Sequence, residues 1–576
     1  MKQKINKFIT VLLLAVTLVY LSSCSKDFLN VVDPTVLDEA IYPKEIKDFE
    51  KLMNDLYGRV RDHIYGQNIR SLILADHSYD SGYNGADFNE FCLIDLRANL
   101  GPLGTYWNNM FTHIAKCNDF LIKLDALRQE STLSANNEAR AKTMEAEARF
   151  WRAFCYFHLV NIFGEEPILT TADLNKMGVP LWTDLAKSIP ETYRARSTQG
   201  EIYNQVISDL EAAVPLLAGQ GKINGQAPRI DEWAAKTLLA KTYMFTLQWG
   251  KAAPVLKDII DNGGHELVSY DIYRNMYGGH NKYNKESIFE INYSYDPQTN
   301  NQSGGVGSVY PRYGSVAFWK NGGEVINGFS NFYIHAENIP RFGFSFPNDN
   351  DPEVKQSAAY RTYSLGARQD KSVDPRLYVS SMEPYIDSIN INDGGGWYQV
   401  IKARFEGYPI YWAADRAWNG RKYTLIDAVY SQNTGVNMYV FRLAEVYLLY
   451  AEALIESGGD QALALEYINK VHRRAYDQPV DTPSSYDYAS LTDRTKTVDP
   501  TDHLANDVLK YERWAETFNE GGWWYDVRRW DIGQQEADYY KRSNCGPLVF
   551  SRRTTYAWPI PQAEMENNSL MVQNPR

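Results

Sequence analysis

Two polar stretches of the chain combine aromatic rings with amide and charged side chains. The first is residues 77–85, HSYDSGYNG, and the second is residues 310–321, which begins YPRY and ends WKN. An aromatic face packs against a flat patch of C–H groups such as a pyranose ring presents. Amide, carboxylate and guanidinium groups at its edge hydrogen-bond the surrounding hydroxyls. Side chains of these types are therefore candidates for binding a sugar.

A third stretch with the same character contains Trp397–Tyr398, Tyr411–Trp412 and Trp418. From the three stretches, the candidate ligand-binding residues are Tyr79, Tyr83, Asn84, Tyr310, Tyr313, Trp319 and Trp412. The alternative reading is that these rings pin their loops to the scaffold, since one buried ring removes about 150 to 250 Å² from water. For the tryptophans of a later helical pattern, namely Trp514, Trp523, Trp524 and Trp530, and for Trp558 in a proline-flanked turn, packing is the favoured reading.

Catalytic and metal-binding patterns find little support in the chain. The motifs H-E-x-x-H and G-x-S-x-G and a Walker sequence are absent, and the nine histidines are scattered. A glycosidase pair of carboxylates stays open, because the fold alone brings two acids to about 5 to 9.5 Å. Asp349–Asn350–Asp351 lacks the spacing of an EF-hand and is expected to be a solvated loop. We expect no catalytic residue, no bound metal and no cofactor.

Composition sets the broad class. The chain has 576 residues, of which 44% are hydrophobic and 23% charged, as in an ordinary folded protein. At this length a single core stops growing, which favours several domains or an elongated repeat. The net charge of −12 argues against nucleic acid as a partner, because neutralising phosphates needs a basic surface.

The amino terminus has the pattern of a bacterial lipoprotein signal. Lys2, Lys4 and Lys7 precede an apolar stretch at 8–21 that is too short to span a bilayer, and Cys24 follows small residues. We therefore predict a signal peptide at 1–23 and lipidation of Cys24, since two or three acyl chains anchor a protein stably. The alternative is an ordinary secretory leader with a chance cysteine.

The other cysteines do not suggest a disulfide framework. Cys92, Cys117, Cys155 and Cys545 form no C-x-x-C pair and no zinc spacing. Because Cys117 and Cys155 fall in strongly helical stretches, we expect them to be buried small hydrophobes.

Helical periodicity dominates both ends of the chain. Apolar residues recur every three or four positions around 146–160, 202–214, 232–261 and 443–475, with Gly–Gly breaks between returning helices and a capping box at Thr198 and Glu201. Small residues precede large ones by three positions, as in tetratricopeptide repeats, although the full consensus is absent. We predict a mostly α fold built from degenerate TPR-like hairpins. An unrelated helical bundle is the alternative.

The middle of the chain differs. Residues 265–440 contain short strand-like runs, such as SIFEINY at 287–293, among clusters of Gly, Asn, Pro and Tyr. Long loops carried on a rigid scaffold are often functional. We therefore predict a helical region at 24–264, a loop-rich ligand-binding region with short strands at 265–440, and a second helical region at 441–576.

Four blocks of the sequence resemble the SusD/RagB family of outer-membrane nutrient-binding lipoproteins, and the likeness covers nearly the whole chain. They are CSKDFLNVVDP at 24–34, EARFWRAFCYFHLVNIFGEEPIL at 147–169, FRLAEVYLLYAEALIESG at 441–458, and ERWAETFNEGGWWYDVRRW at 512–530, the last closed by WPIPQAEMENNSLMVQNP. The family usually has a basic residue before the Asp-Leu pair of the fourth block, where this chain has Trp523 and Trp524 before Asp526–Val527.

The resemblance implies one SusD-like unit, tethered by lipid to the outer face of the outer membrane. Members of the family sit over a SusC-like TonB-dependent transporter and bind oligosaccharides, or peptides in RagB-like cases. The first two aromatic stretches correspond loosely to family regions that supply binding aromatics. We expect a non-catalytic protein that binds an oligosaccharide or polysaccharide and delivers it to that transporter. The alternatives are RagB-like peptide uptake, a lipid-anchored glycoside hydrolase, and a purely structural role in transporter assembly.

Overall fold

Helices make up most of the described chain. The computed structural model of the protein describes residues 42–65, 78–80, 96–220, 222, 225–293, 317–320, 323–326, 332–390, 396–400, 418–424, 435–541 and 550–575. The helices are α1 (Ile46–Arg59), α2 (Gly101–Glu130), α3 (Ala135–Phe163), α4 (Gln199–Leu217), α5 (Glu232–Phe245), α6 (Trp249–Asn262), α7 (Tyr270–Asn275), α8 (Asn338–Arg341), α9 (Pro352–Lys355), α10 (Ala358–Asp370), α11 (Arg376–Ser380), α12 (Leu443–Glu456), α13 (Gln461–Ala475), α14 (Val508–Thr517), α15 (Trp523–Arg529), α16 (Gly533–Lys541), α17 (Arg552–Tyr556) and α18 (Gln562–Asn567).

The strands are few and short. They are β1 (Ser78–Asp80), β2 (Ser287–Ile291), β3 (Ala317–Lys320), β4 (Gly323–Ile326), β5 (Phe332–Ile334), β6 (Ser381–Met382), β7 (Ser388–Asn390), β8 (Trp397–Gln399), β9 (Trp418–Gly420) and β10 (Met438–Arg442). Among the described strands, four form one antiparallel sheet in the order β1–β5–β9–β6, and the others pair as β2–β10, β3–β4 and β7–β8.

The long helices form one continuous stack. Each of α2 to α5 packs against the next helix in the chain, and α6 then packs against α12, which follows only after the middle region. Helix α12 pairs with α13, and α14 lies against both. The predicted mostly α fold with helical hairpins at both ends is confirmed, and the stack joins these hairpins into a single scaffold in which each helix covers its neighbour's apolar face.

Capping residues mark where the scaffold helices begin. Helix α4 starts with the predicted capping box, in which the hydroxyl of Thr198 accepts from the amide of Glu201 while the Glu201 carboxylate accepts from the amide of Thr198 at 2.7 Å. Asp231 caps α5 and Asp460 caps α13, and each carboxylate accepts from two main-chain amides of the first turn. These side chains satisfy amides that a helix end leaves without intrahelical partners.

Helix α3 is the centre of the core. Residues from Phe150 to Phe157 on this helix are all buried, and Trp151 meets Phe154 edge-on at 5.5 Å between ring centroids. The helix is therefore buried on more than one side. Cys117 and Cys155 are buried free thiols, which confirms the expectation, and burial raises the pKa of both.

The carboxyl end of α3 is completed by the last residues of the chain. The amide of Trp558 donates to the carbonyl of Ile162 at 2.9 Å, and the side-chain amide of Asn574 donates to the carbonyl of Phe163 at 3.0 Å. Arg528 adds a hydrogen bond to the carbonyl of Gly164 at 3.0 Å. Trp558 is 2% exposed, so its predicted packing role is confirmed. Carbonyls that a helix end leaves open thus find partners from 360 or more residues later.

Strands β2 and β10 contact the scaffold helices α5 and α12, respectively. Strand β2 pairs antiparallel with β10, and Ile291 lies opposite Met438. The chain between these strands includes helix α10, which the periodicity of the sequence did not predict, although Ser357 caps it. A helix that packs through a few small and aromatic residues gives only a weak periodic signal. The division into regions at 264/265 and 440/441 stays a prediction.

A network of buried charges locks the middle region to the scaffold. Glu512 and Glu516 share one face of α14, and each meets buried guanidinium groups. Arg376, from the middle region, lies 2.7 Å from Glu512, and Arg474 of α13 lies 2.5 Å from Glu516. Arg442, at the end of β10, bridges Glu516 and Glu520. Burial by itself raises the pKa of each acid, but the nearby guanidinium charges have the larger effect, so the pKa of Glu512 and of Glu516 is lowered.

The described helices give no membrane span. None of them is both long enough and apolar enough to cross a bilayer.

Candidate functional site

The hairpin formed by β7 and β8 carries an open aromatic ring. Trp397 is 67% exposed and is the most exposed tryptophan among those whose side chains the structure describes. In the antiparallel register Asn390 lies opposite Trp397, Ile389 opposite Tyr398, and Ser388 opposite Gln399. Paired residues in an antiparallel ladder place their side chains on the same face. Trp397 therefore has a polar residue directly across the hairpin.

The two faces of this hairpin differ in chemistry. Ile389 is fully buried, which marks its face as the one that packs inward. Because side chains alternate along a strand, the opposite face presents Ser388, Asn390, Trp397 and Gln399. We call these four residues the Trp397 face. A large ring bordered by two amides and a hydroxyl suits a ligand that combines a flat apolar patch with hydroxyl groups.

Helix α10 holds the hairpin in place through Arg368. Its guanidinium donates to Asp387 at 2.7 Å and to Glu383 at 2.7 Å, both just ahead of β7. Main-chain bonds close the base of the hairpin, where the amide of Tyr385 donates to the carbonyl of Val400 at 2.7 Å. The same guanidinium lies 4.1 Å from the centre of the Tyr378 ring. The Trp397 face is thus mounted on a helix and not on a free loop.

Burial and charge shift the two acids in opposite directions. Burial raises the pKa of Asp387, but the charge of Arg368 outweighs it and the net effect is a lower pKa. For Glu383 burial wins, and its pKa is raised despite the same arginine. Both carboxylates point at the anchor, so neither is offered to a ligand.

Trp418 is a packing residue. It is 1% exposed and lies in β9, with its ring 4.9 Å from that of Phe344 and 6.3 Å from that of Tyr378. Trp418 therefore packs into the core beneath the sheet. For this ring of the third aromatic stretch, the interpretation as a packing residue applies. Trp514, Trp523 and Trp524 are fully buried, as predicted.

The structure places two of the candidate ligand-binding residues on strands near the hairpin. Tyr79 lies in β1, opposite Tyr333 of β5, in the four-stranded sheet that ends at β6. At the usual spacing of strands, β1 lies about 14 Å from β6, the strand that leads into the hairpin. Trp319 lies in β3, and this strand runs beside β8. Strand β3 of the second aromatic stretch therefore lies beside β8 of the third, whereas two strands separate β1 of the first stretch from β6.

The remaining predicted residues lie outside the described part of the chain. These are Cys24, Tyr83, Asn84, Tyr310, Tyr313 and Trp412. Their roles stay predictions.

Sequence reasoning placed Trp397 in the third aromatic stretch but not among the candidate ligand-binding residues, and it missed the polar members of the Trp397 face. Ser388, Asn390 and Gln399 are not among the candidate residues. The sequence does contain two short runs of alternating character, SIN at 388–390 and WYQ at 397–399, with a glycine run between them. That alternation was the available signal, since a short Gly-rich connection between alternating runs predicts a hairpin.

Close carboxylates elsewhere are engaged by cations. Glu286 and Glu516 share Arg474, and Glu516 and Glu520 share Arg442, all within the buried network. These guanidinium groups lower the pKa of Glu516 and Glu520, which is the opposite of what a general acid needs. Among the described residues, no group of three or more His, Cys, Asp or Glu side chains is arranged to hold a metal ion.

Comparison with known proteins gives matches over most of the chain. Residues 281–576 match a family model described as the SusD family, and residues 27–244 match one described as starch-binding associating with outer membrane. SusD-like protein P25 of Formosa agariphila is 24% identical over 533 residues, covering 90% of this chain and 88% of that protein. A SusD-like protein of Bacteroides ovatus is 22% identical over 90% of this chain and 82% of its own length.

Solved structures share the fold. A SusD homolog from Bacteroides thetaiotaomicron superposes with a TM-score of 0.67 at 21% identity, covering 94% of this chain and 99% of that one. A laminarin binding SusD-like protein gives a TM-score of 0.62 at 21% identity, covering 92% and 100%. Surface glycan-binding protein A from Bacteroides fluxus gives 0.63 at 20% identity with the same coverage.

Proposed function

The chain belongs to the SusD/RagB family, and we propose that it is a non-catalytic glycan-binding protein of the cell surface. The observation that carries the proposal is the Trp397 face. Trp397 stands 67% exposed on a hairpin that an arginine fixes to a helix, with amide groups beside the ring. An exposed tryptophan ring keeps apolar surface in contact with water, which is unfavourable. Stacking on the C–H face of a sugar would remove that surface from water.

The names of two structural relatives favour the same ligand class. One is described as laminarin binding and another as a surface glycan-binding protein. Strand β3, which contains Trp319, lies beside β8, so a ligand of several sugar units would extend from the Trp397 face toward this strand. We assign the ligand as an oligosaccharide or polysaccharide.

Delivery to a transporter completes the proposal. Cys24 follows a leader of lipoprotein type, and acylation there would tether the protein to the outer membrane, facing outward. The family description places starch-binding relatives at the outer membrane. A protein of this kind passes its ligand to a SusC-like TonB-dependent transporter, and the transporter imports the ligand.

Calorimetric titration of the mature protein against starch, laminarin and other plant, host and microbial oligosaccharides tests the proposal. We expect one class of glycan to bind, and Trp397→Ala to weaken it by about tenfold, or about 1.4 kcal/mol. Tyr193→Ala removes another exposed ring and is the matched control, with affinity unchanged.

Three results would redirect the proposal. Binding of peptides and of no glycan would support the RagB-like function. New reducing ends in the incubated glycans would show a hydrolase. Equal affinity of the wild type and Trp397→Ala for the bound glycan would remove the Trp397 face from the site.

A further inference from the structure

Residues that follow helix α13 line a cavity. It has a volume of about 330 Å³ and opens between helix α13 and the loop that follows it. His472 of the helix lines it, together with the loop residues Ser485, Tyr486, Asp487, Tyr488, Asp493, Arg494 and Lys496. The loop residues lie in a segment with a defined backbone, stabilised by hydrogen bonds such as that from the amide of Thr495 to the carbonyl of Ala505 at 2.9 Å.

A column of stacked rings ends at this cavity. Tyr488, His472, Tyr476 and Tyr486 follow one another with centroid distances of 4.4, 4.4 and 4.7 Å. The first three rings are buried, whereas Tyr486 is only partly buried and lines the opening. The column fixes the Tyr486 ring from behind, which makes it a rigid surface for a ligand at low entropic cost.

The acids in the wall are engaged by groups of the protein itself. Asp487 accepts from Arg473 at 2.8 and 2.6 Å, one bond to each carboxylate oxygen. Asp493 accepts from the amide and hydroxyl of Ser490 and from the amide of Ala489. Both carboxylates are therefore committed to holding the loop in shape.

By contrast, the cations in the wall donate to main-chain carbonyls. Lys496 donates to the carbonyl of Lys371 at the long distance of 3.5 Å, and Arg494 donates to the carbonyls of Ala505 and Thr497. Neither side chain has a carboxylate within 4.0 Å in the described part of the chain. Lys371, which donates to the carbonyl of Tyr476, adds a third positive charge beside them.

Lys496 is a partly buried lysine without a close acid, whereas Arg494 beside it is exposed. The chain carries a net charge of −12, and its other partly buried cations are mostly held by acids, as Lys236 is by Asp258 at 2.7 Å. Burial lowers the pKa of Lys496, and the attraction of Asp374 offsets this only in part. A bound anion would add a second attraction and stabilise both cations.

We propose that this cavity binds an acidic saccharide. Its carboxylate or sulfate ester accepts charge-assisted hydrogen bonds from Lys496 and Arg494, while the sugar ring packs on Tyr486. The rigid aromatic surface favours a sugar over an acidic peptide, because a pyranose offers a flat C–H face to stack. The site goes beyond the proposed function: it adds recognition of charge to the neutral chemistry of the Trp397 face.

Calorimetry with four probes tests the assignment. They are a glucuronate-containing disaccharide, its methyl ester, a 6-sulfated neutral disaccharide and its unsulfated parent. We expect at least one acidic probe to bind about tenfold more tightly than its neutral counterpart, with an affinity that falls between 50 and 500 mM NaCl because salt screens the charges. The two pairs separate a carboxylate from a sulfate ester as the favoured group.

Two variants locate the binding. Lys496→Gln removes a cation, and Ser485→Glu places a negative charge at the exposed rim, where it leaves the core untouched. Each is expected to weaken the acidic probe by about tenfold. Lys510→Gln is the matched control, since it also removes one lysine charge but takes it from an ion pair with Asp507. If Lys496→Gln does not fold, Ser485→Glu decides the question alone.

The inference is wrong if acidic and neutral probes bind alike, if Ser485→Glu binds the acidic probe as the wild type does, or if a hexaglutamate peptide binds more tightly than either saccharide. Its failure is distinguishable from that of the proposed function. Trp397→Ala should leave binding of the acidic disaccharide unchanged, while Ser485→Glu should leave binding of the neutral glycan unchanged.

Discussion

Arg368 on helix α10 lies 2.7 Å from Asp387, the residue just ahead of the strand that leads to the exposed ring of Trp397. One ion pair thus connects the rigid part of the middle region to the proposed ligand surface. Because Arg368 also meets Glu383 at 2.7 Å, a single side chain holds both acids at the base of the hairpin. The geometry of the Trp397 face depends on this planar group.

Replacing Arg368 by Lys should weaken glycan binding without touching the ligand. Lysine keeps the charge but cannot donate in two directions from one plane, so the hairpin loses its fixed position. We expect about a threefold to tenfold rise in Kd, or about 1 kcal/mol. Hydrogen exchange should quicken at the amides of Tyr385 and Val400. Arg361→Lys, exposed on the same helix, is the control, and equal exchange in both variants would contradict the anchoring role.

Removing one acid from the buried network should destabilise the whole fold. Glu512→Gln removes the carboxylate that lies 2.7 Å from Arg376 and leaves this guanidinium with Asp374, 2.6 Å away. Breaking one half of a buried ion pair costs about 3 to 5 kcal/mol, and we expect the lower end of this range because Asp374 still pairs with Arg376. Urea unfolding should show this loss in the free energy of unfolding. Glu566→Gln, at an exposed position, should change it by less than about 0.5 kcal/mol. A loss below about 1 kcal/mol for Glu512→Gln would mean that water reaches the network.

His113 should make the protein less stable in acid. It is 1% exposed, neither ring nitrogen has a hydrogen-bond partner, and burial lowers its pKa to about 3. The unfolded chain binds a proton below about pH 6.5 while the folded protein does not, so stability falls as the pH drops from 6.5 toward 3. His113→Leu removes this loss, and it also removes two unpaired nitrogens, each worth about 1 to 3 kcal/mol.

Unfolding measured at two pH values checks the histidine effect. The gain in unfolding free energy from His113→Leu should be larger at pH 5 than at pH 8 by about 2 kcal/mol, which follows from the depressed pKa. His158, whose pKa burial also lowers to about 3, stays in both proteins and cancels from the comparison. The same gain at both pH values would show that His113 is protonated when folded.

Cys24 should carry the anchor. Cys24→Ser is expected to abolish labelling with a radioactive fatty acid and to move the protein from the detergent phase to the aqueous phase in a Triton X-114 separation, since the apolar chains supply the membrane affinity. Cys92→Ser is the matched control and should keep the label. A labelled Cys24→Ser protein would refute the lipoprotein assignment.

The sequence predicted the scaffold well because its signals are local. Helix periodicity and the Thr198 cap depend on residues within a turn or two of one another, and the structure confirms both. The pairing of β2 with β10 and the passage from α6 to α12 depend on contacts between distant segments, which no local pattern reports.

The candidate site was harder to predict for a related reason. Trp397 and Trp418 belong to the same aromatic stretch, yet one is 67% exposed and the other 1%. What separates them is the packing of Phe344 and Tyr378 over Trp418, and these residues come from other parts of the chain. Residue type indicates which rings suit a sugar, but tertiary contacts decide which rings are available to one.

The closure of helix α3 by Trp558 and Asn574 bears on how the cell makes this protein. Synthesis proceeds from the amino terminus, so the most buried helix leaves the ribosome long before Trp558 and Asn574 are made. Until then the carbonyls of Ile162 and Phe163 lack these two partners, and a chain cut short before Trp558 should have a less stable core.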